Sequence, residues 1–332
     1  MKVAWVHSFN RKANENAGIF MFQLMEHIKN RDIEVEEFYT GKIGILSFWK
    51  IVNNLKKVTN GYDIIHAQYG SGCGLVSSLL AGKKLLTLRG SDWYISKKSS
   101  NIVKFIHTRL SVLMTKLSLN RFHAIITMSK RMTDELINSG LKIPVYTIMD
   151  GIDLIKFSPR NKETERRNYN DDGKNYWILF SSVVNNNPLK RFELAKQAFE
   201  LVKKKIPNIE LKFMSGIPHD KCPSFIACCD VVLLTSTHEG WPNIIKESLA
   251  LNKPFVSTNV SDLKDIARNE SSCTIVEEAS EEIMVNEMSK GIQNAIEHLK
   301  VNKLNLRKYV DQMNIEVISD QIIETYKTLL SK

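Results

Sequence analysis

The sequence predicts an α/β protein with two doubly wound parallel-sheet domains that face each other across a cleft. Three observations predict it. The chain has 332 residues, too many for one ordinary core and enough for two domains of about 150. Short apolar segments alternate with helical patterns along its length, which implies parallel sheets covered on both sides. The alternation breaks once, near the middle, in a polar and heavily charged stretch.

In the first half KVAWVH, IEVEEFY, YDIIHA, KKLLTL, HAIITM and PVYTIM read as strands. They are short, rich in Val, Ile and Leu, and several are apolar on both faces. Helical patterns lie between them near 17–30, 46–60, 73–81, 100–120 and 129–138. The stretch 150–175, GIDLIKFSPRNKETERRNYNDDGKN among its residues, reads as a domain linker. YWILFSS, IELKFMS, DVVLLTS, KPFVST and CTIVE then follow as strands, with helices near 190–205, 221–228, 243–251 and 261–269. The tail 286–331 reads as helix throughout, with Ile315, Ile318, Ile322 and Leu329 or Leu330 on its apolar side. The expected domains are 1–155 and 156–312, with a helix at 313–332 packing back on the first. Ligands of such sheets bind beyond the C-terminal ends of the strands, so function belongs in the strand-to-helix loops.

Composition narrows the class. Hydrophobic residues make up 43% and charged residues 25%, the balance of a globular protein. No signal-peptide pattern opens the chain and no window has the 18 or so apolar residues of a membrane span, so a cytoplasmic location is expected. The five cysteines include no CxxC pair, which argues against a disulfide framework or a zinc site. The net charge of +10 is unevenly placed: residues 1–160 hold 23 Lys and Arg against 12 Asp and Glu, and the rest is near balance. A field confined to the first half favours an anionic partner there.

The strongest local signal is DVVLLTSTHEGWPNIIKESLALNKPFVST, residues 230–258. An apolar strand runs into a polar loop holding Glu239 and Gly240, and Pro242 opens a helix carrying Glu247. The first N–H groups of that helix, from Asn243, Ile244 and Ile245, form an anion cradle. Carboxylates accept hydrogen bonds from neutral diols. A sugar diphosphate needs both.

This segment resembles the donor-binding signature of retaining glycosyltransferases of GT-B fold, family 4 type. The shared pattern is Glu-Gly, a Pro, a second Glu eight positions after the first, an apolar helix and a Pro-led strand. Ser248 stands where the family usually has Ala. SKRMTDELINSGLKIPVYTIMDGIDLIKFSP resembles the family's inter-domain segment, with Asp150 in place of the usual Asn. ILFSSVVNNNPLKRFELAKQAF, residues 178–199, matches its diphosphate-binding Lys at Lys190, with Arg191 beside it; Ser182, Val183 or Val184 occupies the early basic position. The resemblance implies two Rossmann-like domains of GT-B type. It implies that Glu239, Lys190 and Arg191 serve catalysis, and that Glu247, Gly240, Asn243, Ile244, Ser182 and Gly216 bind the donor. It also implies retention of configuration, no metal, and no cofactor beyond a UDP- or GDP-linked sugar.

On the acceptor side, YDIIHAQYGSGCG keeps the family's His as His66, and KKLLTLRGSDWY keeps Gly90 and Asp92 with Arg89 in place of His. An Arg stays protonated and cannot shuttle a proton, so it suits an anion instead. Gly18 lies at the start of a helix facing the cleft. Residues 97–121 form a basic amphipathic helix, with Ile102, Ile106, Leu110, Leu113 and Leu117 in a stripe beside Lys98, Arg109 and Lys116. It is read either as a core-facing helix or as a dock for anionic lipid. The function expected is hexosyl transfer from a nucleotide diphosphate sugar to a saccharide or lipid-linked acceptor in cell-surface polysaccharide synthesis. A sugar-nucleotide epimerase of the same fold is the enzymatic alternative. A basic nucleic-acid-binding protein is the other, although no reader motif supports it.

Overall fold

The computed structural model describes residues 1–13, 17–95, 102–181, 187–301 and 303–331, without the Lys104 side chain. Ser182 and residues 97–101 of the expected basic helix lie outside the described residues. The chain folds as two compact units, Met1–Gly151 with Ile315–Lys332, and Ile152–Asn314.

The first unit carries strands β1 (Lys2–His7), β2 (Glu34–Tyr39), β3 (Ile64–Ala67), β4 (Lys83–Leu88), β5 (Ala124–Thr127) and β6 (Val145–Thr147). All pair in parallel, in the order β2-β1-β3-β4-β5-β6. β3 and β5 are buried along their whole length, as two-sided apolar runs require. The edge strand β2 turns Val35 inward and leaves Glu34, Glu36 and Glu37 exposed. The connecting helices are α1 (Ile19–Lys29), α2 (Phe48–Val58), α3 (Ser71–Ser77), α4 (Ile102–Ser118) and α5 (Lys130–Asn138). The C-terminal helix, Ile315–Leu330, packs on α1 and buries Ile315, Ile318, Ile322 and Leu329, while Leu330 stays exposed.

The second unit carries β7 (Tyr176–Phe180), β8 (Ile209–Phe213), β9 (Val231–Leu234), β10 (Phe255–Thr258) and β11 (Thr274–Val276), parallel in the order β11-β10-β9-β7-β8. Its helices are α6 (Lys162–Arg167), α7 (Phe192–Lys203), α8 (Cys222–Cys228), α9 (Asn243–Ala250), α10 (Leu263–Asn269) and α11 (Glu281–Val301). Ala195, Ala198 and Phe199 of α7 meet Met288, Ile292 and Ala295 of α11 in its core.

Two expectations from sequence fail, each for a physical reason. The charged stretch after Gly151 is no linker, because residues 152–175 are built into the second unit. The Ile152 N–H donates to the Met313 carbonyl at 2.9 Å, and Phe157 is buried. Arg166, inside the charge run, is 1% exposed. Its guanidinium donates to Asp230 at 2.7 Å, to the Cys228 carbonyl at 2.9 Å and to the Asn175 carbonyl at 2.6 Å. A charge so fully bonded can be interior, which composition cannot reveal. The tail is likewise not one helical tract. It breaks between α11 and the C-terminal helix, where the Arg307 guanidinium donates to the carbonyls of Leu154 at 2.6 Å, Phe157 at 2.7 Å and Ala250 at 3.1 Å.

The C-terminal helix is latched to the sheet of the first unit by a buried polar chain. Trp5 Nε1 donates to Tyr326 Oη at 2.8 Å, His66 Nδ1 meets that hydroxyl at 2.7 Å, and His66 Nε2 meets Thr87 Oγ1 at 2.7 Å. The Tyr326 proton has an acceptor only when His66 carries its own proton on Nε2. Tyr326→Phe leaves Trp5 Nε1 and His66 Nδ1 unsatisfied, so it should cost roughly 2–3 kcal/mol in denaturant unfolding. Burial, aided by the Arg89 charge, pushes His66 down from 6.5 to about 3. The unfolded chain therefore takes up a proton that the folded one refuses. This group's contribution is intact above pH 6.5 and declines by up to about 1.4 kcal/mol per pH unit as pH falls toward 3. Urea midpoints measured from pH 7 to pH 4 should show that decline in the wild type and a weaker one in His66→Gln.

Candidate active site

In the second unit the chain passes from β7 outward to β8 and returns across β7 to β9. The loops after β7 and β9 therefore diverge at a topological switch point, the place where open parallel sheets bind ligands. The β7 loop ends in a tight turn at Pro188–Lys190, capped by the Asn187 side chain, which accepts from the Leu189 N–H at 3.1 Å. The β9 loop brings Ser236 and Glu239. Lys190 Nζ lies 2.5 Å from Glu239 Oε1, and Ser236 Oγ donates to the same oxygen at 2.6 Å. The Lys190 and Glu239 side chains are about a fifth exposed, so this ion pair is within reach of a ligand.

Arg191 has a different place from its neighbour. Its backbone is left-handed, with φ 48° and ψ 55°, a strained region for a side-chain-bearing residue. Nε donates to the Thr235 carbonyl at 2.7 Å and Nη2 to the Ser236 carbonyl at 3.2 Å, while Glu278 grips the outer edge at 3.0 and 2.6 Å. Thr235 Oγ1 donates back to the Lys190 and Arg191 carbonyls, and the Thr237 N–H donates to the Leu189 carbonyl at 2.9 Å. Arg191 thus splints the two loops together, with its guanidinium committed to protein carbonyls and Glu278.

Pro242 caps α9 from just outside it, one position earlier than the sequence pattern implied. Ile245 and Lys246 N–H groups bond back to the Pro242 carbonyl at 3.1 and 3.2 Å. That removes Ile245 from the anion cradle and leaves Asn243 and Ile244 as the unbonded N–H groups of the helix among the described residues. Asn243 Oδ1 is buried and has no hydrogen-bond partner, an acceptor waiting for a donor. Gly240 is held by Ser261 Oγ, which donates to its carbonyl at 2.6 Å. Gly216, at φ +71°, lies exposed in the loop after β8 with open space where a side chain would stand.

Glu247 sits one turn into α9, away from the Lys190–Glu239 pair in its partners. Its electrostatic neighbours are Lys246, Lys156 and Cys222. Burial raises its carboxyl from 4.5 to about 7, opposed by the two lysines. Lys156 Nζ meets His219 Nδ1 at 2.9 Å, and burial with the Lys156 charge lowers His219 to about 4. Lys156 is held in place by Asp153, whose Oδ1 accepts from the Ile155 and Lys156 N–H groups at 2.9 Å each. Sequence reasoning missed Ser236, Lys156, His219 and Glu278. Only Lys156 carried a signal, its position three residues after the Asp of a Gly-hydrophobic-Asp turn.

In the first unit the four expected acceptor-side residues are largely committed to protein partners. Asp92 is fully buried: Oδ1 accepts from the Arg89 and Gly90 N–H groups at 2.9 Å each, and Oδ2 from Gly70 N–H at 2.8 Å. It knots the loops after β3 and β4. Arg89 donates to the Gln68 carbonyl at 2.9 Å and its Oε1 at 3.0 Å, pairs with Asp150, and lies over the Phe20 ring at 4.2 Å. His66 is the enclosed link described above. Gly18 begins α1 at φ +71°, where a Cβ would stand 2.6 Å from the Phe9 ring, so only glycine fits.

Residues 194–294 match the family model described as glycosyl transferases group 1. An uncharacterized glycosyltransferase of Methanocaldococcus jannaschii is 27% identical over 247 residues, which span 67% of this chain and 63% of that protein. Sucrose-phosphate synthase from Thermosynechococcus elongatus aligns over 100% of both chains with a TM-score of 0.76 at 15% identity. HepE of Anabaena, solved in complex with UDP and glucose, aligns over 99% of this chain and 100% of its own, with a TM-score of 0.71 at 16% identity. The likeness to these structures shows a GT-B fold, and the stretch shared with the curated relative spans less than two thirds of that protein's length. The segment that carries Glu239 and Glu247 is of the group 1 glycosyl transferase type.

The raised carboxyl of Glu247 carries a sign that can be checked. The folded state binds this proton more tightly than the unfolded one, so stability is lost as pH rises from 4.5 through about 7. Glu247→Gln should gain roughly 2–3 kcal/mol over wild type at pH 8 and little at pH 4.5. Thermal unfolding of both proteins at the two pH values measures it; equal melting temperatures at pH 8 would show that the carboxylate is not penalised.

Proposed function

We propose that the chain transfers a hexosyl unit from a nucleotide diphosphate sugar to a saccharide or lipid-linked acceptor, with retention of configuration, in cell-surface polysaccharide synthesis. The observation that carries this reading is the Lys190–Glu239–Ser236 cluster at the switch point, on the same loop that opens α9. The donor is UDP- or GDP-linked, and no separate cofactor or metal is required. HepE, whose fold this chain shares, is itself solved with UDP-glucose, which supports a nucleotide-sugar donor here.

In this reading the Asn243 and Ile244 N–H groups hold the diphosphate, where the helix dipole favours negative charge. Lys190 turns from Glu239 toward the leaving diphosphate and offsets the charge that grows as the glycosidic bond breaks. Glu239, released from half of its pairing, accepts hydroxyls of the sugar. Glu247 accepts the ribose diol, and binding of two hydroxyl donors draws its carboxyl back toward the ionised form. The Asn243 amide oxygen takes a further ligand hydroxyl. Arg191 acts by holding the Lys190 turn against the β9 loop.

Among the described residues no helix is long and apolar enough to cross a membrane. We place the enzyme in the cytoplasm, peripheral on the inner membrane face, with the described part of 97–121 toward anionic lipid. The transfer reading predicts that Lys190→Ala lowers kcat by about 10²–10³ while the melting-temperature rise with UDP or GDP is reduced but present. Near-normal turnover would remove Lys190 from the mechanism. Formation of an epimeric nucleotide sugar without acceptor would replace transfer by epimerisation.

A further inference from the structure

The first unit exposes two apolar surfaces that flank one point of its fold. The first is on α4, which is amphipathic in the inverted sense. Its stripe Ile102, Ile106, Leu110, Leu113 and Leu117 faces solvent, each residue at least half exposed. Its inward face is built of small side chains, with Ser111, Val112, Thr115 and Ser118 buried. Thr115 Oγ1 accepts from the Ser71 N–H at 2.6 Å and donates to the Asp92 carbonyl at 2.8 Å, and Ser111 Oγ donates to Ser71 Oγ at 2.6 Å. These bonds fix the roll of the helix, so the stripe cannot turn inward without breaking them. The second surface is the approach to α2, where Ile45 is 95%, Leu46 100% and Trp49 64% exposed. Both border the start of α3, since Ile43 packs where a Gly72 side chain would stand and Ser71 is held by α4.

The charge around them has one sign. Residues 38–62 and 93–133 contain no Asp or Glu. Exposed Lys42 and Lys50 accompany the α2 approach, and exposed Arg109 and Lys116 flank the α4 stripe. Large exposed apolar patches mark interaction sites. A second copy of this chain would bring cation against cation, which disfavours self-pairing. A surface with apolar depth behind an anionic face meets both requirements.

We infer that the chain docks on an anionic lipid bilayer through a bipartite face. Ile45, Leu46 and Trp49 insert beside the α4 stripe, while Lys42, Lys50, Arg109 and Lys116 meet headgroup phosphates. The inference deepens the membrane partner of the proposed function by adding a second, aromatic anchor and by making apolar insertion, not charge alone, the source of affinity.

The test is flotation of the full chain with vesicles of phosphatidylcholine, and of phosphatidylcholine mixed with phosphatidylglycerol, at low and physiological salt. Wild type should float with the mixed vesicles and far less with the neutral ones, and weaken with salt. The triple variant Ile45→Ser, Leu46→Ser, Trp49→Ser should lose at least tenfold in partitioning to the mixed vesicles at unchanged melting temperature, because those side chains support no core. Leu110→Ser with Leu113→Ser should do the same. Equal flotation of the first variant and wild type, equal binding to both vesicle types, or a wild-type dimer that the variant makes monomeric would each overturn the inference. The rise in melting temperature with UDP or GDP should be the same in wild type and both variants. A chain that floats but shows no nucleotide response refutes the transfer reading alone; one that responds to nucleotide but does not float refutes the docking alone.

Discussion

The candidate site depends on the splint that Arg191 makes between two loops of the second unit. Parallel sheets deliver loops to one edge but do not fix their relative height. Here the β7 loop ends in a residue held at φ 48°, a conformation that costs about 1–2 kcal/mol for a side chain of this kind. Carbonyl acceptors on the opposite loop and a two-pronged contact with Glu278 offset that cost. The consequence is a Lys190 ammonium and a Glu239 carboxylate at 2.5 Å before any ligand arrives. The splint thus fixes where the Lys190 side chain starts from, so the turn toward a diphosphate in the proposed reading is a change of side-chain rotamer and not of the loop.

The same unit treats its second carboxylate in the opposite way. Glu239 is neutralised by a cation and a hydroxyl, whereas burial leaves Glu247 titrating near 7 despite two lysines nearby. A free protein that carries a penalised carboxylate and a buried, partnerless Asn243 amide oxygen is less stable than its backbone allows. In the proposed reading both penalties fall when ligand hydroxyls donate to these oxygens. Binding sites commonly trade stability in this manner, whereas every partner of Arg166 is internal and polar satisfaction holds there.

Much of the fold was legible because the signals were local. Eleven runs read as strands match the strands of the two sheets among the described residues, the buried β3 and β5 as two-sided apolar runs and the edge strand β2 as a one-sided pattern. The Glu239–Glu247 segment was legible because a loop carboxylate, a proline and a helix start are fixed by neighbours in sequence. What stayed hidden depends on partners far along the chain. Arg166 looks like part of a solvated charge run until Asp230, 64 positions later, accounts for it. The break in the tail is held by Arg307 reaching carbonyls about 150 residues earlier, and nothing in the tail's own periodicity announces it. Arg191 beside Lys190 reads as a second catalytic cation because the sequence cannot show that its donors are already occupied.

The direction of α4 shows where periodicity ends and packing begins. A stripe of Ile and Leu at helical spacing specifies a face, and the usual inference turns that face to the core. Hydrogen bonds decide otherwise. The start of α3 presents the Ser71 N–H and the loop after β4 a buried Asp92 carbonyl, and both require a polar partner away from water. Thr115 supplies a donor and an acceptor at one point, which no residue of the apolar stripe can do. Rolling the helix would leave both backbone groups unmet, at a cost of about 1–3 kcal/mol each. The apolar stripe is then left to solvent, each residue at least half exposed, as at surfaces that bind partners.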